Sequence, residues 1–225
     1  MGKKKKKKVR LKVVNIFLVL LSIYLVCFLL FSIITKPINS IYVKGNNYLE
    51  DYEIIRTAGI EDYPVSITNF SFLIEKRLEK NKFIMKAKVR KKFLTTVYIE
   101  VKENIPILYD SLKNVTILKN GTVVKENLNA PILVNAIDKK KHDLLIKKLS
   151  LVNRNILNKI SEIKYDPDAV DTERFLLTMI DGNYVYVTLS KFKEINNYNN
   201  YVKEFNNKKG ILYLNSGEYF KIMEN

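Results

Sequence analysis

The sequence predicts an α+β protein hung from one membrane-spanning helix: an apolar helix, then a β-α-α-β-β unit, then a mixed α/β unit rich in antiparallel hairpins. Three observations predict it. A run of 22 residues, Val13 to Ile34, carries no charge. Between Ile38 and Glu103 the apolar period changes from strand to helix and back to strand. Beyond Glu103, Asn120-Gly121 and Asp181-Gly182-Asn183 each separate two alternating stretches, as tight hairpin turns do.

The apolar run makes a helix of roughly 33 Å, enough for the roughly 30 Å of a bilayer's hydrocarbon core. Its exit, Phe31-Ser32-Ile33-Ile34-Thr35-Lys36-Pro37, offers no Ala-x-Ala cleavage site, so an uncleaved anchor over residues 13–35 is expected. Lys3 to Lys8, Arg10 and Lys12 precede the span, and Lys36 is the one charge close behind it. The positive-inside rule then puts residues 1–12 in the cytoplasm as a basic tail against anionic lipid, and the rest outside as a single-pass type II protein.

The net charge of +16 is concentrated there. Without the eight tail cations, 31 basic and 23 acidic residues remain, an excess of +8, which does not require a nucleic-acid partner. Cys27, the one cysteine, sits within the span, so no disulfide framework holds the outer part.

Each outer element has its own signal. Ile38 to Lys44 reads as a strand closed by the turn Gly45-Asn46-Asn47. Asp51, as N-cap, opens a helix to Ala58, with Gly59 at the left-handed C′ position. A second helix follows Asn69, with Phe70, Leu73, Ile74 and Leu78 on one face. Alternation through Ala87 and Val89, a turn near Phe93-Leu94-Thr95, and alternation through Val97, Ile99 and Val101 predict two antiparallel strands. That order, in about 65 residues, is the order and size of a POTRA domain, placed at 36–103, with a β domain at 104–225.

In the latter, Val115 to Leu118 pairs with Thr122 to Val124, and Phe175 to Ile180 with Tyr184 to Leu189. One helix is expected from His142 to Ile160, on the stripe Leu145, Leu149, Val152 and Ile156. Another follows Ser190, on Ile195, Tyr198, Val202 and Phe205. Ile211 to Leu214, a turn at Asn215-Ser216-Gly217 and a strand from Tyr219 to Ile222 close the chain.

No catalytic constellation is apparent. His142, the one histidine, is read as a solvated helix-start residue. Asp166, Asp168, Asp171 and Glu173 are interrupted by Pro167 and lack the calcium-loop order, so they read as a polar turn. Glu100 and Glu103 fall on opposite faces of a strand. No metal or cofactor is expected, and no enzyme activity.

The constellation resembles the FtsQ/DivIB family of bacterial cell-division proteins. The resemblance rests on Ile41-Tyr42-Val43-Lys44-Gly45-Asn46, on Ala58-Gly59-Ile60, and on Ala87-Lys88-Val89-Arg90-Lys91-Lys92-Phe93 leading into Ile99-Glu100-Val101-Lys102-Glu103. Leu94 stands where the family usually has proline, and Asn104 where it has arginine. The resemblance implies a non-enzymatic divisome scaffold at the septum, binding small bitopic coiled-coil proteins of the FtsL/FtsB/DivIC type and linking them to septal peptidoglycan synthesis. It implies docking on the last strands and the preceding helix, at Tyr201, Ile211, Leu212, Tyr213, Leu214, Tyr219 and Phe220. The simpler reading takes Leu212, Leu214, Tyr219 and Ile222 as core residues, and the outward alternates, with Tyr213 and Phe220 named, are then the candidates for contact. Lys86, Lys88, Arg90, Lys91 and Lys92 form a basic surface suited to an acidic partner, lipid headgroups or an anionic cell-wall polymer. The alternatives are a POTRA protein of another export or assembly machinery, and a membrane-tethered cell-wall enzyme.

Overall fold

The structure, a computed structural model, describes residues 5–206 and 208–223. It divides into two compact units, Met1–Glu103 and Asn104–Asn225. Residues 1–4 of the basic tail lie outside the described residues. From Lys5 the tail is already helical: α1 runs Lys5–Ile34 and contains the apolar stretch Val13–Ile34.

The rest of the first unit is a three-stranded sheet with two helices on one face. β1 (Ser40–Lys44) pairs in parallel with β3 (Thr96–Glu103), and β2 (Ile84–Lys92) pairs antiparallel with β3, so β3 is central. α2 (Asp51–Ala58) and α3 (Ser71–Glu79) contribute Ile54, Ala58, Ile74 and Leu78 to a core completed by Ala87, Val89, Val97, Ile99 and Val101. These strand residues are the apolar alternates; the opposite face carries the charges, as period two requires.

Two local details differ from expectation. Glu50, not Asp51, is the α2 N-cap, in a capping box with Glu53. Phe70 is an exposed α3 N-cap rather than part of the buried stripe, because the helix starts one residue later. Gly59 does hold the left-handed C-cap, φ 66°.

The second unit is built on a nine-stranded sheet. Its strands are β4 (Pro106–Asp110), β5 (Val115–Leu118), β6 (Val123–Val124), β7 (Ile132–Leu133), β8 (Ile160–Tyr165), β9 (Arg174–Met179), β10 (Tyr184–Thr188), β11 (Gly210–Tyr213) and β12 (Tyr219–Ile222). They lie in the order β12-β11-β10-β9-β8-β7-β4-β5-β6. The predicted hairpins appear as β5/β6 and β9/β10, while β4/β7, β7/β8 and β10/β11 are parallel.

The helix expected from His142 to Ile160 is broken. α4 covers Lys139–Leu149, α5 only Arg154–Leu157, and Ile160 already begins β8. Asn153 caps α5 and restarts the chain in a new direction. The apolar stripe persists across the break because Leu145, Leu149, Val152 and Ile156 all reach the same core. The helix expected after Ser190 is a 3-10 helix, Leu189–Asn197, continued by α6 (Tyr198–Glu204). Phe192, Ile195 and Tyr198 are buried there, as are Phe175, Leu177, Val185, Val187 and Leu212 from the sheet.

Candidate interaction surfaces

β12 ends the nine-stranded order, so among the described residues one side of its backbone has no strand beside it. Met223 N–H donates to the Lys209 carbonyl at 3.1 Å, and the register pairs Lys221 with Ile211 and Tyr219 with Tyr213. Amide direction alternates along a strand, so Phe220 and Ile222 turn their N–H and C=O groups toward the open side. Such an edge is what an added strand needs.

The same register decides which side chains share a face. Tyr219 lies with Tyr213, and their rings stack at 4.5 Å and 8°. Tyr186 stacks on Tyr213 from β10 at 5.3 Å, and the Arg174 guanidinium lies 4.6 Å from the Tyr186 ring centre. Ile211, aligned with Tyr184, is half-buried on this aromatic face. Phe220 is paired with the buried Leu212 and stacks on Phe205 at 4.6 Å. It covers Gly210, where a Cβ would come within 2.6 Å of its ring.

This reverses the expected phase of the last strand. Tyr219 is 50% exposed and Ile222 is exposed too, so neither belongs to the core, while Phe220 faces inward and is half-buried. Three of the four residues of β12 are apolar, so its own sequence carries no readable alternation; pairing with β11 sets its face. Leu212 and Leu214 are fully buried and contribute no contact surface. Tyr213 sits in the second strand from the edge, so it offers its ring and not its backbone. Tyr201, on α6, donates its hydroxyl to Glu218 at 3.1 Å; burial and that carboxylate push the phenol pKa up.

The open face of the three-stranded sheet is the second surface. Lys86, Lys88, Arg90 and Lys92 of β2 are exposed there, beside Lys44 and Lys102, with Glu100 the one acid on that face. Tyr42 and Tyr98 stack at 5.2 Å among them. Lys91 does not belong to this surface. Its odd position turns it to the helix-covered face, where Nζ donates to the Ser66 carbonyl and lies 3.1 Å from Ser66 Oγ, and burial lowers its pKa.

Three residues weighed as chemical candidates have structural partners. His142 is not solvated: Nε2 lies 3.3 Å from Oδ2 of the buried Asp110. Asp166 and Asp168 both bind Arg174, and Asp168 also accepts the backbone N–H groups of Val170 and Asp171, closing a polar turn. Among the described residues no group of three or more His, Cys, Asp or Glu is placed to hold a metal.

Residues 36–104 match the model of the FtsQ-type POTRA domain. Over nearly its whole length the chain also aligns with curated cell-division proteins. It is 28% identical to the cell division protein DivIB of Bacillus subtilis over 229 residues, 96% of this chain and 86% of that protein. It is 27% identical to the DivIB of Geobacillus kaustophilus, covering 88% of this chain and 80% of the relative. With the DivIB of Listeria monocytogenes it shares 28% identity, over 92% and 79%.

The chain is similar to the DivIB cell-division proteins over most of its length and carries an FtsQ-type POTRA domain.

It combines an N-terminal helix long and apolar enough to cross a membrane, an FtsQ-type POTRA unit and a strand-rich second unit. Among solved structures, the major extracytoplasmic domain of the trans isomer of DivIB from Geobacillus stearothermophilus aligns at 24% identity. It covers 47% of this chain and 96% of that domain, with a TM-score of 0.39. The β12 edge was only partly visible in the sequence. The turn at Asn215-Ser216-Gly217 signalled the last hairpin, but nothing local signalled that β11 joins β10 in parallel and so leaves β12 outermost.

Proposed function

We propose that this chain is a non-enzymatic scaffold of the bacterial divisome that holds small bitopic coiled-coil proteins of the FtsL/FtsB/DivIC type by strand addition at β12. One span anchors it with the basic tail in the cytoplasm and both folded units outside, and it works at the septum, linking its partners to septal peptidoglycan synthesis. The observation that supports this reading best is the open β12 edge, with Phe220 and Ile222 offering backbone groups and Tyr186, Tyr213 and Tyr219 flanking them. Backbone hydrogen bonds would supply the affinity and the tyrosine face the choice of side chains. Function then consists of binding alone.

The test is a crosslinking pull-down from native membranes comparing wild type with Ile222→Pro and Ile222→Val. Proline at 222 removes an N–H that faces the open side and leaves the β11 ladder intact, a position where an edge strand tolerates it. Small single-pass coiled-coil proteins are expected with wild type and Ile222→Val, and not with Ile222→Pro. Equal recovery with all three would move the docking site elsewhere; recovery with none would refute the scaffold reading.

A further inference from the structure

Among the described residues, five other than glycine hold a positive φ: Tyr63 at 50°, Phe93 at 52°, Leu94 at 63°, Asn114 and Asn206. Asparagine tolerates that region, whereas bulky aromatic and aliphatic residues rarely occupy it. The three bulky ones gather at one end of the POTRA unit, and all three are exposed. Phe93, 81% exposed, and Leu94, 43% exposed, form the tip of the β2–β3 hairpin. Tyr63 lies in the loop between α2 and α3, with exposed Ile67 shortly after it. Asparagine or glycine would make these turns with less strain and better solvation. Strained backbone that presents apolar side chains to water points to a contact the isolated fold does not supply.

Hydrogen bonds place this end of the unit at the exit of the membrane helix. Thr35 N–H still donates to Phe31 and Lys36 N–H to Ile33, in helical fashion. Immediately afterwards Ser66 N–H donates to Lys36 O at 3.0 Å, Ile38 N–H to Pro64 O at 2.9 Å, and Asn39 N–H to Thr95 O at 2.7 Å. The Tyr63 loop and the Phe93-Leu94 tip are therefore both fastened to residues 36–39. Lys91 ties them to each other through Ser66. Four extended residues reach about 14 Å at most, and the headgroup layer is roughly 5–8 Å deep on each side. Positive charge lies close to the tip: Arg90 and Lys92 are exposed on β2 leading into it, Lys92 Nζ lies 5.3 Å from the Phe93 ring centre, and Lys36 is hydrogen-bonded to Ser66.

We propose that the Phe93-Leu94 tip, with Tyr63 and Ile67 beside it, inserts into the interfacial layer of the leaflet at which the span exits, while Lys36, Arg90 and Lys92 contact anionic phospholipid headgroups. Aromatic rings favour that layer, and an apolar tip within a basic rim is the pattern of reversible interfacial binding. The contact holds the POTRA unit against the bilayer. It rests on α1 spanning the membrane and is independent of partner capture at β12.

The chain contains no tryptophan, so one substitution makes a unique reporter. Full-length Phe93→Trp is reconstituted into vesicles of phosphatidylglycerol and phosphatidylethanolamine and compared with Tyr52→Trp, at the start of α2 beyond the opposite end of β1. Leu94→Trp serves as a second reporter if Phe93→Trp does not fold. The tip reporter is expected to show blue-shifted emission and to lose intensity when the acyl chains are brominated, while the Tyr52→Trp reporter responds to aqueous iodide instead. Replacing phosphatidylglycerol by phosphatidylcholine should weaken the tip's response. Equal iodide quenching at both positions with no response to brominated lipid would overturn the proposal. So would a tip reporter that is silent in bare vesicles and shifts only on addition of an anionic wall polymer, which would assign the surface to that polymer.

Discussion

Asn183 and Tyr198 meet in the interior of the second unit, where Asn183 Nδ2 donates to the Tyr198 hydroxyl at 2.8 Å. Tyr198 in turn donates to the Asp181 carboxylate, 2.8 Å from its nearer oxygen, and Asn183 Oδ1 accepts from Gly210 N–H at 2.8 Å. One buried relay thus joins the β9–β10 turn, the start of α6 and the start of β11. Burial, then the Asp181 contact, raises the Tyr198 pKa far above that of an ordinary phenol. Tyr198→Phe is expected to destabilise this unit by about 1–3 kcal/mol, because buried polar atoms lose their partner. Thermal unfolding measures the loss, and amide exchange should locate it at Gly210.

Gly210 also limits β12. An added Cβ would lie 2.3 Å from the Lys221 carbonyl and 2.5 Å from the Phe220 ring. Gly210→Ala should cost about 1–3 kcal/mol through overpacking and loosen β12. Faster exchange of the Lys221 and Met223 amides, together with reduced partner recovery in the pull-down, is the expected result.

The POTRA unit has a corresponding weak point at Gly45. It holds φ +87°, and a Cβ there would lie 2.2 Å from the Val101 carbonyl. Gly45→Ala is therefore expected to lower stability by at least about 2 kcal/mol, since strain and clash act together. Limited proteolysis should show cleavage between residues 36 and 103.

Glu103 organises the turn that follows Gly45. Its carboxylate accepts Tyr48 N–H at 2.8 Å and Leu49 N–H at 2.8 Å. Glu103→Ala should destabilise the unit by about 1–3 kcal/mol, as both donors lose a charged acceptor. Faster hydrogen exchange at Tyr48 and Leu49 is the specific readout.

Asp110 makes the second unit acid-sensitive. Burial alone would raise its carboxyl pKa, but the Lys113 side-chain and backbone hydrogen bonds, with the Lys113 and His142 charges, hold it below the usual carboxylate range. A depressed folded value means that the stabilisation is present above the unfolded pKa of about 3.9. It is lost as the pH falls through the folded value. Asp110→Asn should be less stable than wild type at neutral pH and should lose less on acidification, as melting temperatures across acidic pH will show.

Much of this architecture was legible in the sequence because it depends on neighbours in the chain. The uncharged run of Val13 to Ile34, the strand alternation through Ala87 to Val101 and the helical stripe ending at Leu78 declare themselves locally. So do the turns at Asn120-Gly121 and Asp181-Gly182. The candidate site was less legible. β7 has two residues and β12 four, too short for a period to emerge.

By itself, then, the sequence determined the long apolar helix, the β-α-α-β-β order and the positions of the hairpins, since these follow from hydrophobic periodicity and turn chemistry within a few residues. Only the tertiary structure decided that Ile160 begins a strand, that His142 meets Asp110, that Lys91 finds its partner in Ser66, and that Tyr219 rather than Phe220 joins the exposed tyrosine face. Each of these depends on pairing between segments distant in the chain, and in a strand a register change of one residue sends every side chain to the opposite face.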